Sequence, residues 1–284
     1  MNSHIKLDYA FLLILFFTGI IFPQDVKPLF GLEKEFCKTL TEIGLSKSFM
    51  QFMDDEAAMF IPTPINGMDY YKTHPNEMKT LFWEAEFAEI SADGNFGYTT
   101  GPWYIPKVSP QGDTTYAHGH FNTVWHKVNG KWKFLIDCGV NYGNGLKVKN
   151  LPKEMKPVQV PAPVIERKRF PFEDLIVIDN DFAEILEKEG IEAAYKKYAS
   201  ENIRAYRDNK PPYIGIKSAN QIFSKEKLMA THMSGKAANS GDLAFTFGTV
   251  SRNPEKPEFN YMKVWKLEGK LWKIVLDVLT GVEK

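Results

Sequence analysis

Cysteine is nearly absent from this chain: Cys37 and Cys138 are the two present among 284 residues. Two lone thiols cannot make a disulfide framework or the ligand set of a structural zinc site. They either pair in an oxidising compartment or pack as small apolar groups, and the sequence leaves both readings open. A surplus of one charge is absent too, since 35 Lys and Arg balance 35 Asp and Glu. This argues against a nucleic-acid partner and against an acidic solvating tail. The short basic run Arg167-Lys168-Arg169 reads as solvated linker. No glycine-rich loop leads into a helix to cradle phosphate, no nucleophile-elbow serine occurs, and there is no His-Glu-x-x-His pair. Hydrolase and nucleotide-enzyme readings lose weight, and the expectation is neither a metal nor a cofactor.

One long apolar run is present, residues 10–22, with Lys6 before it and Pro23-Gln24-Asp25 after it. A bilayer span takes about 20 apolar residues, so the run suits a secretory signal better than an anchor. Residues 1–24 are read as a signal peptide, cut near Pro23 or Gln24. The expectation is an exported protein, periplasmic or secreted, without stable membrane insertion after cleavage. An uncleaved anchor beginning near Leu7 is the competing reading.

Beyond the signal the chain repeats itself. Phe96-Gly97-Tyr98-Thr99-Thr100-Gly101, Val124-Trp125 and Gly130-Lys131-Trp132-Lys133 up to Asp137 recur as Leu243-Ala244-Phe245-Thr246-Phe247-Gly248, Val264-Trp265 and Gly269-Lys270-Leu271-Trp272-Lys273 up to Asp277. Gly44, Phe49, Phe52 and Phe60 fall on Gly190, Tyr195, Tyr198 and Tyr206 at one constant spacing. This is an internal duplication, hence two domains of one fold. The boundaries read as 25–145 for the first domain, 146–174 for a proline-rich linker and 175–284 for the second. Each begins with apolar residues at helical spacing, predicting two helices broken at Gly44 and carried as far as Phe60, then, in the second copy, helices to Glu189 and from Ile191 to Tyr206. Period-two patterning then predicts strands over 83–90, 96–104, 116–128 and 131–140, with Asn129-Gly130 as a tight hairpin turn. Helices followed by an antiparallel sheet make an α+β fold.

The segments 92–103 and 240–248, with Thr123-Val124-Trp125 and Trp132-Lys133 before Asp137, resemble the SnoaL-like branch of the nuclear transport factor/ketosteroid isomerase-like superfamily. The resemblance spans both repeats. It implies two tandem cone-shaped domains, each with N-terminal helices packed on a curved antiparallel sheet, and a pocket between them. Family members use that pocket for catalysis, for ligand binding or for nothing known, and they commonly dimerise through their sheets. The second copy can therefore serve as a built-in dimer half, with a homo-oligomer as the other arrangement. It departs from the first where Tyr98 becomes Phe245, Pro102-Trp103 becomes Thr249-Val250 and Gly139 becomes Leu279. Chemistry, if present, belongs to the first copy.

Candidate residues come with competing readings. His118-Gly119-His120 puts two imidazoles on one face of a strand, together with Asn122 and His126, where they can shuttle protons. The alternative is a polar convex face, with Phe121, Thr123 and Trp125 turned inward. Asp54, in the cluster Asp54-Asp55-Glu56 at the expected helix end, and Asp137 are the candidate carboxylates. Solvated charge at Asp54 and a structural hydrogen bond at Asp137 are the alternatives. Trp83, Tyr98, Trp103 and Tyr116 are candidate ligand contacts, whereas Trp125 and Trp132 recur in the second copy and read as core. The expectation is an exported protein that binds a small apolar or amphipathic molecule in the first cone. A cofactor-independent isomerase or dehydratase, and a structural or interaction module with filled cones, are the alternatives.

Overall fold

The computed structural model describes residues 25–143, 172–253 and 255–282. The expected signal and nearly all of the expected linker lie outside the described residues. The first half opens with α1 (Lys27–Ile43) and α2 (Leu45–Phe52). α1 buries Leu29, Glu33, Phe36 and Leu40, a stripe at helical spacing in which one member is an acid. Gly44 separates the two helices at φ 86°, and Gly190 does the same in the second half at φ 96°. A side chain at either position would be strained, so the break recurs as glycine in both copies.

The second helix ends earlier than its apolar spacing suggested. Residues Met53–Phe60 form strand β1, not more helix. The reason is tertiary: β1 pairs antiparallel with β2 (Pro64–Asn66) and parallel with a later strand, and those ladders hold it extended. Asp54 therefore sits at the start of a strand, and the sheet is mixed. α3 (Gly67–Thr73) comes next, capped by the Asn66 side chain, which accepts from the Asp69 N–H at 2.9 Å. Then come β3 (Phe82–Trp83), β4 (Phe87–Ile90), β5 (Phe96–Val108), β6 (Thr114–Val128) and β7 (Lys131–Asn141). Across the sheet the order is β2-β1-β7-β6-β5-β3, with β4 also on β5. Asn129 and Gly130 turn the last hairpin at φ 50° and 78°, the pair of positive values that a type I′ turn requires.

The second half repeats this. It runs α4 (Phe172–Lys188), α5 (Ile191–Tyr198), β8 (Ala199–Arg207), β9 (Tyr213–Ile214), α6 (Ile216–Ala219), β10 (Met229–Ala237), β11 (Leu243–Ser251), β12 (Phe259–Glu268) and β13 (Leu271–Gly281). The sheet order is β10-β11-β12-β13-β8-β9. Its second helix likewise gives way to a strand, at Ala199 and not beyond Tyr206. Each half is thus helices laid on one face of a long, bulged sheet, an α+β architecture in two tandem copies.

The opposite faces of the two sheets pack on each other. One continuous apolar cluster includes Phe96, Val124 and Val140 from the first sheet with Phe245, Met262 and Val278 from the second. Two corresponding loops exchange hydrogen bonds: Ala92 N–H donates to Asp242 at 2.9 Å, and Ser240 N–H donates to Asp93 at 3.2 Å. A buried ion pair, Lys266 to Glu89, crosses the interface. Arg204 lies with its guanidinium carbon 3.7 Å from the Phe87 ring centre. Cys138 reaches this interface, its Sγ 3.9 Å from Met262 Sδ, and it is not disulfide-bonded to Cys37.

Candidate functional site

Strand parity decides what the first cone contains. On β6 the odd residues Phe121, Thr123 and Trp125 turn toward the helices, and the even residues turn toward the second sheet. The candidate histidines are even. His120 stacks on Tyr206 of the second half, its ring centre 5.2 Å away, and receives or gives a hydrogen bond at Tyr142. His118 is buried beside Tyr142 as well. His126 bonds Asp54 at 2.9 Å. Burial and the nearby Lys236 hold the His126 pKa down, and burial notwithstanding, bonds from the Glu56 N–H and His126 hold Asp54 down. In that pair the Asp54 carboxylate accepts and the imidazole donates. These residues belong to the joint between the halves, so His118, His120 and Asp54 do not converge with Asp137. Phe121, Thr123 and Trp125 do turn inward, and the polar face opposite them is buried, with Tyr206 of the second half stacked on His120.

The cone itself holds a cavity of about 180 Å³. Phe36, Phe49, Leu81 and Phe121 form its apolar wall, with Trp83 from β3 and Trp103 from β5 at its side. Asp137 and Gly139, alternate residues of β7, complete it. Trp103 has room because β6 and β7 approach it as glycines: a Cβ at Gly119 would lie 2.9 Å from the indole. Of the four expected ligand contacts, Trp83 and Trp103 therefore line the cavity. Tyr98 does not, because it shares the even face and donates to Glu89 at 3.0 Å; Tyr116 is 49% exposed near the far end of β6.

Behind the wall lies an acid that sequence reasoning missed. Glu33 is fully buried and accepts from Trp83 Nε1 at 2.7 Å, from Trp125 Nε1 at 3.0 Å and from the Thr99 hydroxyl. Burial pushes its pKa up, the three neutral donors only partly oppose that, and Asp137 adds to it, leaving Glu33 at about 7. Asp137 accepts from the Thr123 hydroxyl at 2.6 Å, and its apolar surroundings raise it to about 6. The signal for Glu33 was present: an acid on the buried stripe of α1, matched at the same place on α4 by Asp179 in Leu175, Asp179, Phe182 and Leu186.

The second cone keeps the acids and closes around them. Asp179 meets Lys263 at 3.4 Å, His232 at 2.9 Å and the Tyr261 hydroxyl at 2.8 Å. Burial acts to raise it, but these partners outweigh burial and hold it at about 2. Asp277 pairs with Arg207 and accepts from the Tyr195 hydroxyl at 2.6 Å. Where the first cone has Ile61, Thr123 and Gly139, the second has Arg207, Lys263 and Leu279, and its cavity shrinks to about 50 Å³.

No protein-family model matches the chain, and no curated protein sequence does. Among solved structures it is similar to an NTF2-like protein of unknown function from Shewanella oneidensis, at 17% identity over 39% of this chain and 99% of that one, with a TM-score of 0.32. A second is a calcium/calmodulin-dependent protein kinase II association domain from Xanthomonas campestris, described as putative, at 11% identity over 43% and 90%, TM-score 0.33. A third is a protein of unknown function with a cystatin-like fold from Nostoc punctiforme, at 13% identity over 41% and 95%, TM-score 0.33.

Proposed function

We propose that the first half binds a small, largely apolar molecule in its cone, and that the second half is its permanently packed partner. One observation carries this reading: of two cones built on the same framework, the first keeps about 180 Å³ open and the second about 50 Å³. An apolar cavity of roughly 150 Å³ is already enough to hold a benzene ring, so the first cone has room for one ring with a short substituent. Ligand sites are mostly apolar with a few placed polar groups, which describes Trp83, Trp103 and Asp137. Export is part of the proposal, supported by the apolar run at residues 10–22.

Native mass spectrometry of the protein, compared with the same sample after denaturation, tests it. An added mass that is present under native conditions and lost on unfolding supports the reading. Absence of added mass, with no single-ring compound perturbing the fluorescence of Trp83 and Trp103, opposes it.

A second reading, a cofactor-independent acid–base enzyme, is favoured by Asp137 alone among the expected catalytic groups. It lines the cavity, and its pKa of about 6 suits a proton acceptor working near neutrality. Turnover of a ligand found by mass spectrometry, abolished in Asp137→Asn, separates the two.

A further inference from the structure

We propose that the molecule held in the first cone is an organic cation, an amine on an apolar ring or short chain, whose charge faces Asp137 between the rings of Phe36 and Phe121. This rests on the ligand-binding reading above and names the class of ligand. The argument comes from the second half, which shows what this framework does with cations of its own. Lys263 Nζ lies 3.4 Å from Asp179, 3.4 Å from the ring centre of Tyr261 and 4.5 Å from that of Phe182. Arg207 pairs with Asp277. The duplication maps Phe182 and Tyr261 onto Phe36 and Phe121, and Asp179 and Asp277 onto Glu33 and Asp137.

In the first half the rings and both acids are kept while the cations are gone: Lys263 corresponds to Thr123, and Arg207 to Ile61. The hydrogen-bond donors that meet Glu33 and Asp137 are neutral, namely Trp83, Thr99, Trp125 and Thr123. The cavity opens at Asp137, the acid that the Thr123 hydroxyl meets, with Phe36 and Phe121 in its wall. A bound ammonium supplies the missing charge, lies against ring faces, and is desolvated beside a carboxylate, the arrangement in which cation–π and ion-pair attraction are strongest. A carboxylate ligand meets like charge from Asp137, and a neutral ligand gains neither term.

Binding is tied to ionisation of the acids. The groups facing them are Cys37 from α1, Tyr71 from α3, Trp83 from β3, Thr99 from β5, and Thr123 and Trp125 from β6. None of these is a cation, so the ligand's own charge draws the proton from Asp137, and amine affinity rises with pH through about 6.

The test uses the full chain and three matched probes, 2-phenylethylamine, 2-phenylethanol and phenylacetate, titrated by calorimetry at about pH 8 and again at about pH 5, either side of the raised carboxyl groups. The amine is expected to bind about tenfold tighter than the alcohol at the higher pH, as a charge-assisted contact in a largely apolar site should, and phenylacetate not at all. The preference shrinks at the lower pH. Asp137→Asn keeps alcohol binding and loses the preference, and Thr123→Lys, which installs the second half's cation, abolishes amine binding. Alcohol bound as tightly as amine at the higher pH overturns the cation assignment and leaves the ligand reading standing. No binding by any probe overturns both. If Asp137→Asn fails to fold, the pH dependence of the amine–alcohol difference in the unaltered protein still decides.

Discussion

Lys263 Nζ lies 3.4 Å from Asp179 in the second cone, and both groups are buried. Burial lowers the pKa of the ammonium, while Asp179 and Asp277 act against that shift. Removing one member of a buried ion pair leaves the other desolvated and unpaired, which typically costs about 3–5 kcal/mol. Lys263→Thr, the residue found at this place in the first half, is expected to lose stability in that range by urea unfolding. A loss below about 1 kcal/mol would mean that Asp179 simply takes up a proton and that the lysine is not what stabilises the closed cone.

The two cones are expected to respond to pH with opposite sign. Glu33 is raised from 4.5 to about 7, so the unfolded chain ionises first. Its contribution to stability is complete below about 4.5 and is lost as pH rises through 7. Asp179 is lowered from 3.8 to about 2, so its contribution is present above 3.8 and is lost as pH falls toward 2. Denaturation midpoints across this range should show Glu33→Gln flattening the decline on the alkaline side while leaving the acid limb unchanged. An unchanged alkaline limb in that variant refutes the assignment of the raised group.

Across the joint between the halves, Glu89 pairs with Lys266 and accepts from Tyr98 at 3.0 Å, all three being buried. Lys266→Met strands the Glu89 charge, and a loss of about 3–5 kcal/mol is expected. Adding Glu89→Gln keeps an acceptor for Tyr98 without the charge, so the double variant should recover most of that loss in a double-mutant cycle. Additive losses would show that the two side chains act independently. The same joint predicts that either half expressed alone exposes an apolar face and aggregates, whereas the two halves produced together associate.

Much of the architecture is legible in the sequence because the chain supplies its own comparison: two copies agree on where helices break, at Gly44 and Gly190, and where the last hairpin turns. Strand β1 reads as helix from sequence since its apolar residues fit either period, and what holds it extended is a ladder with β7, far along the chain. Site residues are less legible for one physical reason. Alternation tells which residues share a face but not what covers that face, so His120 and Tyr98 look like candidates for a pocket when the second sheet lies over them, and His118 when it is buried beside Tyr142. Glu33 escapes notice unless an acid inside an apolar helical stripe is compared with Asp179, its counterpart. Asp137, Trp83 and Trp103 stand out for their chemistry, and all three line the cavity.

Trp103 and Trp125 both contribute indole rings to the first half, and they should fail in different ways. Trp125 is fully buried, donates to Glu33 and Thr99, and packs edge-on against Phe134, so Trp125→Ala removes core volume and two acceptors' partner at once. A loss of about 3–5 kcal/mol is expected. Trp103 is only partly buried at the cavity wall, in space left by Gly119 and Gly139. Trp103→Ala should therefore weaken ligand binding far more than folding. Gly139→Leu approaches the same place from the other side: its Cβ would lie 3.2 Å from the His120 carbonyl and 3.3 Å from Trp103, and Leu279 occupies the matching site in the closed cone. That variant should abolish binding by filling the cavity, with the thermal midpoint lowered by the close contacts but the protein still folded. If Trp103→Ala and Trp125→Ala unfold equally, or Gly139→Leu binds as the unaltered protein does, the ligand does not sit against this wall.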